Sequence, residues 1–208
     1  MPGDLESILH PNLQGGVTLA EYRKARKLVE AIENVAGKAL AEEITGGLKE
    51  PTAGTTPKRK AAWAREIIAR MDALLPPEQR RAIMEQRRCP ASRTGIKHNQ
   101  KLWARCADLE QYARARREEG WTNFFCDGDT LRFRISGGWC HCGLVRGREA
   151  PISQTYCLCC AEHMRYGLEP VFGSPLLVEP LSTVISGDDE CWFVAHIPNV
   201  RERPVADG

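Results

Sequence analysis

In the first half of the chain, apolar positions recur at helical spacing. Tyr22, Ala25, Val29, Ile32, Val35/Ala36 and Leu40 fall on one face. Thr18, followed three residues later by Glu21, has the spacing of a capping box, in which hydroxyl and carboxylate reciprocally satisfy open amides. Gly46-Gly47 stops this helix, and residues 45–57 read as a flexible linker. A second helix is predicted over 58–75, with Ala64, Ile67, Ile68, Met71, Leu74 and Leu75 as its apolar stripe. Pro76-Pro77 ends it, and Pro77 suits the first position of a third helix that runs to Arg88. A fourth helix is predicted over 97–118, with Leu102, Cys106, Leu109 and Ala113 on one face.

At Trp121 the period changes from helical to alternating. Residues 121–126 are aromatic and β-prone, and Asp127-Gly128 is a hairpin turn signal. Leu131, Phe133 and Ile135 then alternate with Arg132 and Arg134. Gly137-Gly138 release the chain into a cysteine-rich loop. Residues 160–172 predict a short helix, and strands are expected over 175–185 and 190–197, joined by Ser186-Gly187-Asp188-Asp189. The order is β-β-cysteine loop-α-β-β after a helical half. That order predicts an α+β fold with an antiparallel sheet. Three segments follow: 1–56, a helical segment and linker; 57–120, helices packing on what comes after; and 121–200, a cysteine-rich α+β domain.

Bulk composition is that of an ordinary globular protein, with 42% hydrophobic and 27% charged residues in 208. The net charge of +2 argues for neither nucleic acid nor membrane as a partner, and no nucleic-acid readout motif is visible. The charge is unevenly spread, though. Residues 1–120 hold 22 Lys and Arg against 16 Asp and Glu, and residues 121–208 hold 7 against 11. Solvated helix faces and some attraction between the halves account for this. No stretch approaches the ~20 apolar residues of a membrane span. The N-terminus lacks a basic region followed by an apolar one, so a cytoplasmic setting is expected, where thiols stay reduced.

In that setting nine cysteines point to metal or redox chemistry rather than a disulfide frame. Five of them lie within residues 140–160. Cys140-His141-Cys142 and Cys157-Leu158-Cys159 form two pairs, with fourteen residues between Cys142 and Cys157. In extended backbone, positions i and i+2 point to one side, so each pair can aim two sulfurs at one point. Gly143, Gly147 and Pro151 let the segment between them loop back. Four thiolates suit tetrahedral zinc, and soft thiolates also suit an iron–sulfur cluster. The competing reading is a group of small buried thiols in the core. Cys160, His163 and Cys191 are candidate additional ligands or reactive thiols. His141 is expected to face away from the ligands. Cys106 reads as core. Cys191 shares a strand face with Phe193, Ala195 and Ile197, opposite Trp192, Val194 and His196.

From Trp139 to Pro198 the chain resembles a group of mostly uncharacterised bacterial and archaeal proteins. These are related to 4-vinyl reductase small-molecule-binding domains and to L-2-amino-thiazoline-4-carboxylic acid hydrolase-like proteins. The resemblance rests on Cys140-His141-Cys142, Tyr156-Cys157-Leu158-Cys159, Phe172-Gly173-Ser174-Pro175-Leu176 and the segment from Ser186 to Phe193. It implies an α+β domain with an antiparallel sheet, metal-binding cysteines and a pocket for a small, apolar or aromatic molecule. It also raises Cys191 above a plain core role.

Three functions compete. The first is a zinc-binding protein with a structural or sensory metal closing a small-molecule pocket, with a homodimer as one assembly. The second is a metal- or thiol-dependent hydrolase that draws on Cys160, Cys191, His163, Glu162 or His196. The third is an iron–sulfur or thiol redox protein, suggested by the adjacent Cys159-Cys160.

Overall fold

The computed structural model describes residues 19–198. The α+β expectation holds: among the described residues, seven helices accompany one four-stranded antiparallel sheet. The helices are α1 (Leu19–Ala36), α2 (Lys38–Thr45), α3 (Pro57–Leu74), α4 (Pro77–Gln86), α5 (Arg93–Trp103), α6 (Leu109–Glu118) and α7 (Leu158–Phe172). The strands are β1 (Phe124–Asp127), β2 (Thr130–Gly137), β3 (Leu177–Ser182) and β4 (Glu190–His196), in the order β1-β2-β4-β3.

Two of the expected helices are split. The first breaks at Gly37, whose φ of 81° is one that residues with a Cβ rarely adopt. The fourth divides at residues 104–108, because Asp108 caps a new helix by accepting from the Gln111 amide at 2.8 Å. Ser92 likewise caps α5, which starts at Arg93, earlier than the apolar pattern indicates. Thr18, the expected cap of the first helix, lies outside the described residues. Cys106 is buried as expected, but in the link between α5 and α6, with its thiol donating to the Leu102 carbonyl.

In the hairpin, Asp127 pairs with Thr130 around a Gly128-Asp129 turn, with Gly128 at φ 59°. Leu131, Phe133, Phe193 and Ala195 share the inner face of the sheet with Phe124 and Val178, and all are buried. Rings stack across this face from Phe124 to Phe133 and on to Phe193. The outer face carries Phe125, Arg132, Trp192 and Leu177, with Phe125 43% exposed.

Helix α7 is the hub of the fold. It packs on α4, α5 and β3, while α1 packs on α4 and α6 on β1. Trp103, Tyr112, Phe124 and Phe172 meet edge to face and join α5, α6, β1 and α7 in one core. No helix among the described residues is long and apolar enough to cross a membrane.

Candidate functional site

All nine cysteines are free thiols. The loop carrying the first pair leaves β2 at Gly137, where the Gly138 amide donates to the Asp189 carbonyl. It bends through Cys140 and Cys142 into a turn that Leu144 and Val145 anchor in the core. Gly147 lies so close to α3 that a Cβ there would fall 2.4 Å from the Pro57 carbonyl carbon. The His141 ring lies 4.3 Å from the Trp139 ring.

The second pair is not in extended backbone. A 3-10 turn at Gln154–Cys157 runs directly into α7, so the helix begins two residues before its expected start and Cys159 is its second residue. At about 100° of rotation per residue, Cys157 and Cys159 diverge around the axis, while Cys160 returns toward the side of Cys157. The i, i+2 geometry that motivates a symmetric four-sulfur site therefore does not hold for this pair. Cys191, the second residue of β4, lies on the buried face, and its sulfur accepts from the Val184 amide at 3.3 Å.

Six thiols nevertheless share one neighbourhood: Cys142, Cys157, Cys159, Cys160 and Cys191 each lie within electrostatic reach of Cys140. Among the described residues, no three or more Cys, His, Asp or Glu side chains are already converged as metal ligands. Burial pushes Cys140 up to about 12, with the neighbouring Cys142 adding to it. Burial also raises Cys157. Cys159 moves the other way, to about 6, because the Cys160 thiol donates to it and Arg87 faces it. Cys160 rises in return, since it holds the proton they share.

Neither Arg87 nor Tyr156 is among the site residues expected from the sequence. Arg87, at the end of α4, is 5% exposed and lies over the Tyr156 ring, 4.3 Å from its centroid. Its Nη2 donates to Tyr156 Oη and faces Cys142 Sγ at 3.8 Å. A guanidinium can only donate, so Tyr156 Oη accepts from it, and Tyr156 Oη also shares a hydrogen bond with Cys142 Sγ at 2.9 Å in which either group can donate. Cys142 Sγ thus meets both the Arg87 guanidinium and the Tyr156 hydroxyl. The Cys142 amide in turn donates to Cys140 Sγ at 3.5 Å. Tyr156 belongs to the Tyr-Cys-Leu-Cys motif. Arg87 lies more than 50 residues upstream, and only the basic excess of the first half hints at it.

The remaining candidates lie at the rim or elsewhere. His163 donates from Nδ1 to the Cys89 carbonyl at 2.9 Å, and Cys89 is exposed. Glu162 is buried between Arg81 and Arg165. His196 faces Glu179 on the outer side of the sheet, opposite Cys191. Of the groups named for a hydrolase, Cys160 and Cys191 thus lie with the other thiols, whereas His163, Glu162 and His196 have their partners elsewhere. A cavity of about 60 Å³ lies between α3 and residues 148–150, lined by Lys58, Arg65, Arg148 and Glu149 among others. It is small beside the ~300 Å³ of the smallest common ligand pockets.

A family model described as a family of unknown function (DUF6144) matches residues 19–201. No curated protein and no solved structure matches the chain.

Proposed function

Because this chain belongs to DUF6144, a family of unknown function, we propose its function from the thiol centre itself: it is a metal-binding protein whose cysteines hold zinc. The ligands in this reading are Cys140, Cys142, Cys157 and Cys159, with Cys160, Cys191 and His163 at hand. The observation that carries it is the convergence of two buried side chains, the Arg87 guanidinium and the Tyr156 hydroxyl, on Cys142 Sγ. A guanidinium and a hydroxyl gathered around a sulfur suit a thiolate that carries negative charge, as a metal-bound one does. One χ1 rotation per cysteine moves each sulfur without moving the backbone. A zinc ion with four thiolates supplies a structural cross-link. A reducing, cytoplasmic setting fits this use of nine free thiols.

A second reading, thiol redox chemistry, is favoured by the Cys159–Cys160 pair, where one thiol is held low and its neighbour high. The 4-vinyl-reductase and thiazoline-hydrolase resemblance adds a small-molecule pocket to the proposal. It rests on the quoted motifs alone, and a thermal-shift panel of apolar and aromatic compounds tests it. The open sheet face, with Phe125, Leu177 and Leu181 exposed, is where a second copy would dock. Light scattering decides that point.

The deciding experiment is elemental analysis and a visible spectrum of protein purified without oxygen. About one zinc per chain without colour is the expected result. Iron with visible absorption moves the assignment to a cluster. Cys140→Ser and Cys157→Ser are each expected to lower the metal content, and unchanged content in both rules out the four-thiolate site.

A further inference from the structure

Helix α4 delivers a cation into the thiol centre. Arg87 is 5% exposed, its Nε is buried with no hydrogen-bond partner, and its Nη2 reaches Tyr156 Oη and Cys142 Sγ. Among the described residues no carboxylate pairs with it, whereas the neighbouring Arg80, Arg81 and Arg165 all have one. A buried guanidinium without a counter-anion is costly, because the interior cannot solvate it as water does. The groups beside it that can carry negative charge are sulfurs, together with the phenol of Tyr156. Tyr156 Oη already accepts from Arg87 and is also buried, which leaves the sulfurs.

We propose that Arg87 is the positioning residue and counter-cation of the metal centre: its fixed positive charge, set against Cys142 Sγ and Tyr156 Oη, offsets the negative charge of the thiol centre when it holds an ion. This inference rests on the metal-binding reading and deepens it. A divalent ion with four thiolates carries a net charge of −2, and burying that charge without compensation is costly as well. Each therefore neutralises part of the other. Arg87 acts only through the sulfur it faces, and the helical half of the chain becomes part of the centre.

Cobalt(II) is the probe, because its thiolate charge-transfer absorption reports sulfur ligation directly. Full-length wild type, Arg87→Lys and Arg87→Met are made metal-free and titrated with cobalt across a range of pH. Arg87→Met is expected to bind cobalt roughly 10- to 100-fold more weakly. It is also expected to release the metal at a higher pH than wild type, since protons then compete better for the sulfurs. Arg87→Lys keeps the charge and is expected to recover most of both effects, which a purely space-filling role would not produce. If Arg87→Met fails to fold by circular dichroism, Arg87→Gln, polar but uncharged, carries the same comparison. Cobalt binding of unchanged strength and pH midpoint in the folded uncharged variant overturns the Arg87 inference alone. Wild type that takes up no cobalt overturns the metal-binding reading, and this inference with it.

Discussion

Cys159 and Cys142 divide the electrostatics of the centre. Cys142 meets the Arg87 and Tyr156 side chains, whereas Cys159 has its thiol ionisation lowered. Both border Arg87, so one guanidinium serves two sulfurs. Between about 6 and the ordinary 9.0, folded Cys159 has lost a proton that the unfolded chain keeps. The stability it contributes is complete above 9.0 and drains away as pH falls toward about 6. Cys140, Cys157 and Cys160 are raised, so they weaken the fold only above the ordinary thiol value. Metal-free protein should therefore resist urea better as pH climbs from about 6 to 9, and denaturation midpoints at several pH values check this. Tyr156→Phe removes the acceptor of a buried cation and should cost about 1–3 kcal/mol, read by denaturant unfolding. The cysteines of this centre are visible in the sequence because soft ligands cluster in it. Arg87 is not, because long-range pairing leaves no local pattern.

Helix α4 docks on α7 through alternating charge. Arg81 meets Glu162, Glu85 meets Arg165, and the Arg88 guanidinium lies over the Tyr166 ring. Glu162 is only 1% exposed and carries two arginines, one on each oxygen. Glu162→Gln keeps the shape but loses the charge, and is expected to destabilise by about 2–3 kcal/mol in urea denaturation. Gly147→Ala would drive a Cβ into the Pro57 and Lys58 backbone. Overpacking of this kind costs about 1–3 kcal/mol, and a lower Tm in differential scanning calorimetry is the expected sign. At this scale the sequence conveys the element types well and their limits less well. Periodicity marks the helical and β segments, but the split at residues 104–108 follows from one cap, Asp108, which the apolar stripe runs straight across. Cys157-Leu158-Cys159 reads as extended from its pair spacing, yet Ser153 and a 3-10 turn start the helix early.

For the whole molecule, the uneven charge of the two halves reappears as contacts. Arg81 of α4 engages Glu162 of α7, and Asp72 of α3 accepts from the Thr155 hydroxyl at 2.6 Å. Arg80 joins that last pair. The thiol centre lies where α4, the loop after β2, α7 and the start of β4 meet, so a bound ion would tie four parts of the chain together. Removing it with a chelator is expected to lower Tm for the molecule as one cooperative unit, measured by calorimetry. The same Tm with and without metal would mean that the ion bears no structural load.

The sheet order has a consequence for the chain as it is being made. Strand β4 follows β3 in sequence yet fills the gap between β2 and β3, and it brings Cys191 with it. A ribosome that has synthesised only as far as β3 holds two strands with unpaired edges, and sulfurs not yet covered from that side. Vectorial synthesis thus leaves a window in which the nascent thiols are uncovered on that side. That window closes when β4 slots into the centre of the sheet.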